Sequence, residues 1–326
     1  MAVLAGCSGP PATFVAPAAR PTAQDATYQL IQEPDQGYGP VIGVIDQAQR
    51  SIRMTMYELD DPQATAALIA AHGRGVDVKV LLDAASHGRD TNAAAFDDLR
   101  AAGVSVRWAP DGVIYHQKTI SIDHEQAAVG TGNLVAKYYP TTRDAWVLDS
   151  NPDDVAAINA TFDADYAATD TGHPPSATPA ANLVWSPAAR EAFLQQINAA
   201  SHSVDVTSEE FRDRPILRAL DRAAQRGVAC RVVLTANPAW TNAVEEVSAA
   251  GCAVHLLPAG SGQLYMHEKM LLTDADTLII GSQNLSTASL LEDRELSLRL
   301  DRRDAGALID AVQSTFDNDY AQAPAA

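Results

Sequence analysis

The sequence reads His116-x-Lys118-x4-Asp123-x6-Gly130-Thr131-x-Asn133, and 151 residues later it reads His267-x-Lys269-x4-Asp274-x6-Gly281-Ser282-x-Asn284. An acidic residue follows each copy at the same distance: Asp144 lies 28 residues after His116, and Glu295 lies 28 residues after His267. Of the 23 basic residues only four are lysines, and two of those four stand in these motifs. Because a lysine ammonium is compact and an arginine guanidinium is a planar fork, this usage indicates a site that requires lysine.

The repetition continues outside the motifs, so it concerns whole domains. The matched flanking segments are 74–82 with 226–234, 101–104 with 249–252, and 161–166 with 315–320. A repeat of about 150 residues that is present twice is a domain duplication and not a solenoid. We predict a leader at 1–26, a first domain at 27–170, a Pro-rich linker at 171–181 and a second domain at 182–322.

Helix and strand signals alternate within each half. Asp61 before Pro62 and Asp213 before Pro215 are typical of helix starts, and glycines predict the ends of these helices near 73–75 and at 227. β-branched runs follow, at 76–82, 104–108, 228–234 and 253–257. This order predicts an α/β fold in which each of the two similar domains has a mixed, mostly parallel sheet flanked by helices.

The motif segments themselves, 113–122 and 264–273, are predicted to be strands. Side chains alternate between the two faces of a strand, so the histidine and the lysine of each motif would share one face. A turn at the motif aspartate would lead to a second strand, at 126–130 or 277–281. That strand would return the glycine, the hydroxyl residue and the asparagine of the motif to the same end of the sheet.

Composition and charge narrow the class of protein. The chain has 326 residues, of which 47% are apolar and 20% charged, which is typical of a globular protein. It has no apolar run near the roughly 20 residues that span a bilayer. The net charge is −18 and the isoelectric point is near 4.6. Because nucleic-acid affinity depends largely on basic residues that neutralise phosphates, a nucleic-acid partner is disfavoured.

The N-terminal segment resembles a bacterial lipoprotein processing box. Small residues precede Cys7 in Leu4-Ala5-Gly6-Cys7-Ser8, and a Pro/Ala/Thr-rich stretch typical of a disordered tether follows to residue 26. Lipidation of Cys7 would give a lipid-anchored envelope protein. Only six residues lie before Cys7, without a basic or a full apolar region, so a chance match in an Ala-rich leader is the alternative. We expect an extracytoplasmic protein, lipid-anchored or secreted, with a cytoplasmic one as the alternative.

The other two cysteines are placed at the starts of two strands joined by a helix at about 241–250. Cys230 and Cys252 would then lie on neighbouring parallel strands. A disulfide between them would close a loop of 22 residues and stabilise an exported protein by about 3 kcal/mol. Two buried thiols are the alternative.

The residue types of the doubled motif suit phosphoryl chemistry. Lysine is a poor metal ligand and the carboxylates lie far along the chain from each histidine, so no metal or other cofactor is expected. The ammonium, amide and hydroxyl groups can surround phosphate oxygens as charge builds. One imidazole can attack phosphorus while the other protonates the leaving oxygen and then activates water or an alcohol. Asp144 and Glu295 would bond the far ring nitrogen of each histidine.

The paired motifs resemble the HxKx4D signatures of the phospholipase D superfamily over about residues 38–322. The resemblance implies two similar α/β halves whose motifs meet at a pseudo-two-fold interface, and a metal-independent transfer through a phosphohistidine. It implies that His116 is the nucleophile and His267 the general acid and base. Further catalytic residues would be Lys118, Asn133, Asp144, Lys269, Asn284 and Glu295. The structural motif positions would be Asp123, Gly130, Thr131, Asp274, Gly281 and Ser282.

We therefore expect a monomeric phospholipase D-type phosphodiesterase that cleaves the distal phosphodiester of a phospholipid or another small phosphodiester. Water or an alcohol would accept the phosphatidyl group. One alternative is a transferase similar to a cardiolipin or phosphatidylserine synthase, and the motifs do not choose between the acceptors. A nuclease of the same superfamily is disfavoured by charge, and a non-catalytic envelope lipoprotein by the intact motifs in both halves. Contact with a membrane would be peripheral or through a lipid anchor.

The sequence also suggests roles for a few residues outside the motifs. Glu58 and Asp83 end strands and could line the cleft, and loop aromatics could contact lipid at Tyr138, Tyr139 and Trp240. The remaining histidines are predicted to be satisfied core residues, namely His72, His87, His124, His173, His202 and His255.

Overall fold

The computed structural model describes residues 27–169 and 173–326; the leader 1–26 with Cys7 and residues 171 and 172 of the predicted linker lie outside these ranges. The first half contains β1 (Tyr28–Glu33), α1 (Gly39–Gln47), β2 (Ser51–Met56), β3 (Leu59–Asp60), α2 (Pro62–Gly73), β4 (Asp77–Leu82), α3 (Gly88–Ala101), β5 (Ser105–Trp108), β6 (Lys118–Ile122), β7 (Gln126–Gly130), β8 (Leu134–Val135), β9 (Thr142–Asp149) and α4 (Pro152–Ala167). The second half contains β10 (Leu183–Ser186), α5 (Arg190–Ala199), β11 (Ser203–Thr207), α6 (Arg214–Gln225), β12 (Ala229–Thr235), α7 (Thr241–Ala250), β13 (Ala253–Leu257), β14 (Tyr265–Met266), β15 (Met270–Thr273), β16 (Thr277–Gly281), α8 (Thr287–Leu291), β17 (Glu295–Asp301) and α9 (Arg302–Gln322).

The predicted helix starts are confirmed in both halves. The Asp61 carboxylate accepts a hydrogen bond of 2.7 Å from the backbone N–H of Gln63 at the start of α2. Asp213 accepts in the same way from Ile216 at the start of α6. Each aspartate satisfies an N–H that has no partner within its own helix, so the two helices begin where capping predicts.

Each half has one large sheet, and the two strand orders correspond. The first sheet runs β1-β9-β7-β6-β2-β4-β5 and the second runs β10-β17-β16-β15-β11-β12-β13. The sheets are mixed, as predicted, but in each of these orders four neighbouring pairs are antiparallel and two are parallel, so the expectation of mostly parallel strands is corrected. One antiparallel pair in each sheet is the motif hairpin, whose short turn can join only antiparallel strands. Strands β9 and β17 add two more in each sheet, because each runs antiparallel to both of its neighbours in these orders.

One apolar core belongs to both halves. It contains first-half residues of β1, β7 and β9 together with second-half residues of β12, β15, β16 and β17, and helix α9 covers it with Leu308, Ile309 and Phe316. Two further clusters lie against α1–α3 in the first half and α5–α7 in the second. Since the shared core is as buried as the other two, the halves form one structural unit.

The predicted disulfide is confirmed. Helix α7 joins the parallel neighbours β12 and β13, which places Cys230 and Cys252 with their Cα atoms 4.6 Å apart, and the two residues are bonded. Among the helices in the described part of the chain, none combines the length and the apolar character that crossing a membrane requires.

Candidate active site

The motif hairpins place the aspartates away from the histidines. Strands β6 and β7 are joined through Asp123 and His124, both at a φ of 57°, and β15 and β16 are joined through Asp274 at 54°. This left-handed conformation is tolerated by Asp better than by most residues. The Asp123 carboxylate accepts from the backbone N–H groups of residues 49–51, and Asp274 accepts from those of residues 201–203. The motif aspartates thus bind the backbone of a neighbouring turn and do not line the cleft, which is the placement expected of structural positions.

The histidines do not lie within the motif strands. Strand β6 begins only at Lys118, and the second segment is divided into the short strand β14 and β15, which begins at Met270, so neither 113–122 nor 264–273 is one continuous strand as predicted. The reason is that this backbone bonds to the opposite half. The N–H groups of His267 and Glu268 both donate to the Arg143 carbonyl, and short strand β14 pairs with β9. On the other side, the Arg294 N–H donates to the Ile114 carbonyl.

Each histidine is oriented by the carboxylate of the other half. Nδ1 of His116 lies 2.8 Å from Oε2 of Glu295, and Nδ1 of His267 lies 2.8 Å from Oδ1 of Asp144. Both carboxylates are buried. The predicted bond to the far ring nitrogen is thus present, but it crosses the interface. The carboxylate that follows a histidine by 28 residues serves the histidine of the other motif. With Nδ1 engaged, Nε2 is the nitrogen that each ring presents to the cleft.

The two lysines lie beside the histidines and are buried. The ammonium of Lys118 donates to the carbonyl of its own motif histidine, and Lys269 lies 3.5 Å from the Thr131 carbonyl. Burial, with a further contribution from Lys269, lowers the pKa of Lys118 to about 7. A buried ammonium favours a nearby anion, so the two lysines are suited to binding a negatively charged group.

The hydroxyl residues of the motifs face the sheet and not the cleft. The Thr131 hydroxyl donates to Asp144 at 2.6 Å and accepts from the Ala145 N–H. The Ser282 hydroxyl exchanges hydrogen bonds with the backbone of Leu296. The expectation that these hydroxyls contact phosphate oxygens is corrected: they hold the strands that carry the orienting carboxylates. A threonine in the first copy performs this task as a serine does in the second.

The motif glycines are required by close approach. A Cβ on Gly130 would lie 2.5 Å from the Trp146 ring, and a Cβ on Gly281 would lie 2.4 Å from the Ser297 backbone. A side chain at either position would push the second strand of the hairpin away from its neighbour, which is β9 in the first half and β17 in the second. That neighbour carries the orienting carboxylate. Both glycines thus act on the site through packing, as predicted for structural positions.

The asparagines complete the symmetry of the cleft. The Asn133 amide donates to Oε2 of Glu58 at 2.9 Å. The Asn284 oxygen accepts from the backbone N–H groups of Glu209 and Glu210. Each asparagine therefore contacts the segment that follows the central strand of its own sheet. Glu58 lines the cleft as predicted, whereas Asp83 is buried behind it and accepts from the Tyr115 N–H.

The described residues enclose one cleft of about 920 Å³ that contains both histidines. Its aromatic lining includes Tyr57, Tyr138, Trp240 and Tyr265, and its acidic lining includes Glu58, Glu209, Glu210 and Asp293. Tyr138 and Trp240 thus lie in the cleft as the sequence suggested. Tyr139 does not, because it stacks on Tyr38 and donates to Asp61.

Several cleft residues lie outside the sequence motifs and were not predicted. Oε2 of Glu209 lies 3.2 Å from Nε2 of His267, and the Ser289 hydroxyl donates to Glu295. His87 is not a core residue as predicted: its side chain is 57% exposed, lines the cleft and bonds to Glu58. One signal was available for Glu209. It stands 152 residues after Tyr57, at the matching end of the corresponding central strand.

The prediction of satisfied core residues also fails for the other five isolated histidines. None of them is fully buried: His124, His173 and His202 are exposed, and His72 and His255 are half-buried. His124 occupies the tip of a hairpin turn, and His173 lies in the predicted linker. Loops and turns leave side chains at the surface, so position in an element decides burial here more than residue type.

The two motif imidazoles have opposite electrostatic environments. Burial lowers the pKa of His116 well below its usual value, and Lys118 and Lys269 lower it further. Burial also acts to lower the pKa of His267, but Asp144 and Glu209 outweigh it and the pKa is raised. A neutral His116 has a lone pair on Nε2, and a charged His267 has a proton to give. The cleft thus contains one imidazole suited to act as a nucleophile and one suited to act as an acid.

Comparison with known proteins agrees with this arrangement. A protein-family model described as "Cardiolipin synthase, PLD-like domain" matches residues 41–166 and 193–320. The chain belongs to the phospholipase D superfamily.

Individual relatives align with part of their own length. Cardiolipin synthase A of Wigglesworthia glossinidia brevipalpis is 22% identical over 88% of this chain and 67% of its own length. The Cronobacter sakazakii cardiolipin synthase A is 26% identical over 88% of this chain and 68% of its own. A phospholipase D of Rickettsia bellii is 37% identical, over 28% of this chain and 45% of its own length.

Solved structures show the same fold. Phosphatidylserine synthase of Haemophilus influenzae superposes with a TM-score of 0.70 at 11% identity, over 94% of this chain and 88% of that protein. Polyphosphate kinase of Porphyromonas gingivalis superposes with a TM-score of 0.65 at 16% identity, over 90% of this chain and 50% of that protein. At these identities the likeness concerns the fold alone.

Proposed function

We propose that the protein cleaves a phospholipid phosphodiester through a phosphohistidine on His116 and passes the phosphatidyl group to an alcohol. The observation that carries the proposal is the pair of imidazoles in one cleft, each held at Nδ1 by a buried carboxylate. Nε2 of His116 attacks phosphorus, the bond to the leaving oxygen breaks, and that oxygen takes the proton of His267. The neutral His267 then accepts the proton of the incoming hydroxyl, whose oxygen attacks phosphorus and releases His116.

The surrounding groups support this chemistry. Lys118 and Lys269 supply positive charge for the non-bridging oxygens, and the amides of Asn133 and Asn284 lie at the two sides of the cleft. Charged donors fixed in a dry site stabilise the charge that builds in the transition state. The relatives named cardiolipin synthase favour an alcohol acceptor over water for this chain.

Hydrolysis is the second candidate, because of the charge of the cleft. Glu58, Glu209, Glu210 and Asp293 line it, and Arg212 among its lining residues is ion-paired to Glu210. An anionic acceptor such as a second phosphatidylglycerol would be repelled by these carboxylates, whereas water would not. This observation favours a phospholipase D activity on a lipid with a cationic or zwitterionic headgroup.

Product analysis separates the two candidates. Purified protein is incubated with vesicles of phosphatidylglycerol or phosphatidylcholine, with and without glycerol, in the presence of EDTA, and the phospholipid products are resolved by chromatography. A new phosphatidyl ester as the main product supports transfer, and phosphatidic acid as the main product supports hydrolysis. Cleavage of single-stranded DNA without lipid turnover would refute both, and the His116→Ala variant controls for contaminating enzymes.

We also propose an extracytoplasmic location, supported by the Cys230–Cys252 disulfide. Disulfides persist in oxidising compartments and are rare in the cytosol of most organisms. Acid quenching of expressing cells, alkylation before reduction and mass analysis of the two cysteine peptides test this. Alkylated cysteines in the unreduced sample would contradict the proposed location.

A further inference from the structure

Glu209 contacts the atoms that a phosphate would have to contact. Its Oε2 lies 3.2 Å from Nε2 of His267 and 3.4 Å from Nζ of Lys269. Its Oε1 accepts a hydrogen bond of 3.0 Å from the Tyr265 hydroxyl. The carboxylate thus presents one oxygen to the proposed acid and to a motif lysine, as a phosphate oxygen would.

Glu209 and a bound phosphate cannot share this position. Two like charges a few ångströms apart repel strongly even at a protein surface, and more so where water is partly excluded. Under the proposed function the leaving oxygen takes its proton from Nε2 of His267, and Lys269 neutralises a non-bridging oxygen. His267 and Lys269 must therefore lose their contacts with the Glu209 carboxylate before they can contact the substrate.

The side chain is placed so that it can withdraw without moving the backbone. It is 27% exposed. Its backbone N–H is held by the Asn284 side chain, so rotation of the side chain leaves the strand end in place. Its outer oxygen is held by Tyr265, which is itself 39% exposed at the cleft. The glutamate is therefore fixed at its backbone, while its partly exposed carboxylate borders the open cleft into which it can rotate.

The two halves of the duplication differ at this position. Tyr57 takes the matching place in the first half, and its ring lies edge-on against His116 with the centroids 4.7 Å apart. A neutral ring faces the proposed nucleophile, and a carboxylate faces the proposed acid. The carboxylate therefore lies on the side of the cleft where, under the proposed function, His267 has to keep its proton.

We propose, on the basis of the proposed function, that Glu209 is an anionic gate that occupies the phosphate position in the free enzyme and withdraws when a phosphodiester binds. A ligand must offset the loss of the Glu209 contacts, and a dianion meets more repulsion during exchange than a monoanion. The gate therefore selects for diesters that bring further binding contacts. It selects against inorganic phosphate and phosphomonoesters.

The affinity for inorganic phosphate, measured by titration calorimetry, tests the gate without lipid turnover. We expect Glu209→Gln to bind inorganic phosphate about tenfold or more tightly than the wild type, because the competing charge is gone. Glu210→Gln is the matched control, since Glu210 lines the same cleft but pairs with Arg212, and removing its more distant charge should tighten phosphate binding far less than Glu209→Gln does. Equal effects of the two variants, or no gain for Glu209→Gln, would overturn the proposal.

A second variant covers the case in which Glu209→Gln does not fold. Tyr265→Phe removes only the hydroxyl that holds the carboxylate, and we expect it to tighten phosphate binding about twofold to fivefold. In the Glu209→Gln background, where that variant folds, the same change should have no effect, and an equal gain there would contradict the gate. Lipid turnover by the wild type is measured separately, so a failed gate and a failed proposed function give different results.

The pH dependence of the variant gives an independent readout. His267 faces Asp144 from β9, Glu209 after β11, Lys269 of its own motif and the His116 imidazole of the other half. Replacing Glu209 by glutamine removes one of the two carboxylates that raise the pKa of His267. The basic limb of the kcat/KM profile should therefore move to lower pH. A merely structural role would leave this limb in place.

Discussion

The histidine of the motif has a different electrostatic environment in each copy because its neighbours differ. His116 lies among Lys118, Lys269 and a tyrosine ring, and its pKa is lowered by burial and by the two ammonium groups. His267 lies between Asp144 at Nδ1 and Glu209 at Nε2, and its pKa is raised. The duplication supplies two equivalent imidazoles, and the residues around them shift the pKa of one down and the pKa of the other up.

The first prediction is a bell-shaped dependence of kcat/KM on pH. Below the lowered pKa of His116 the nucleophile is protonated and inactive, so the acidic limb should lie below pH 6.5. Above the raised pKa of His267 the acid has lost its proton, so the basic limb should lie above 6.5. Initial rates at low substrate concentration, measured at pH values on both sides of 6.5, test it. A maximum with both limbs on the same side of 6.5 would show that the two assignments are wrong.

The second prediction concerns the crossed carboxylates. Asp144 orients His267, so Asp144→Asn should impair the activation of water while leaving attack by His116 intact. With a nitrophenyl phosphodiester, whose leaving group needs little protonation, we expect a burst of about one nitrophenolate per enzyme. Turnover after the burst should fall by about 10²–10⁴-fold. Rapid-mixing absorbance measures both phases.

The matched variant is Glu295→Gln, which removes the partner of His116. It should abolish the burst as well as the turnover, because the nucleophile itself is disturbed. If instead Asp144→Asn lost the burst and Glu295→Gln kept it, each carboxylate would act on the histidine of its own half. The two variants together thus test the pairing independently of the overall loss of rate.

At the scale of the hairpin, the motif aspartate acts on stability. Partial burial would raise the pKa of Asp274, but hydrogen bonds from the backbone of residues 201–203 outweigh it and lower the pKa to about 2, from 3.8. A lowered folded-state pKa stabilises the protein above the unfolded-state value, and this contribution is lost as pH falls from about 3.8 toward 2.

The third prediction follows for Asp274→Asn. The free energy of unfolding at pH 7 should fall by about 1–2 kcal/mol, a modest value because solvent screens this largely accessible carboxylate. The difference from the wild type should shrink between pH 4 and 2. Urea unfolding at several pH values measures it. Activity of the folded variant should be close to that of the wild type, and a loss of about 10²-fold or more would instead make Asp274 catalytic.

The sequence predicted most elements because their signals are local. The capped helices α2 and α6, the strands around them and the motif hairpins depend on residues close in the chain. The residues before β6 and β15 were misassigned as strand because their backbone partners, Arg143 and Arg294, belong to the other half. No local pattern contains that information. The antiparallel majority in each sheet was missed for a related reason, since strand order is set by packing.

At the scale of the whole molecule, a buried ion pair joins an arginine of each half to an aspartate of the other half. Arg143 precedes Asp144 and forms a buried ion pair with Asp319 of α9. Arg294 precedes Glu295 and forms a buried ion pair with Asp165 of α4. Arg143 thus ties β9 to the second half, and its neighbour Asp144 orients His267 of that half. Arg294 likewise ties the start of β17 to the first half, and its neighbour Glu295 orients His116 there. The repeated sequence contains these residues in both copies, with the arginines offset by 151 residues and the aspartates by 154, but this correspondence does not say which copy a side chain contacts.

The fourth prediction is that the interface fails when one crossing arginine is removed. Arg294→Met leaves Asp165 as a buried charge without its partner, so the free energy of unfolding should fall by about 3–5 kcal/mol. Activity should fall further than the unfolded fraction explains, because Glu295 is the next residue. Urea unfolding followed by fluorescence measures the first effect, with Arg303→Met, which changes an exposed ion pair, as the control without measurable change. An unfolding midpoint of Arg294→Met equal to that of the control would mean that the shared apolar core alone holds the two halves together, and that the crossed ion pairs serve only to aim the carboxylates.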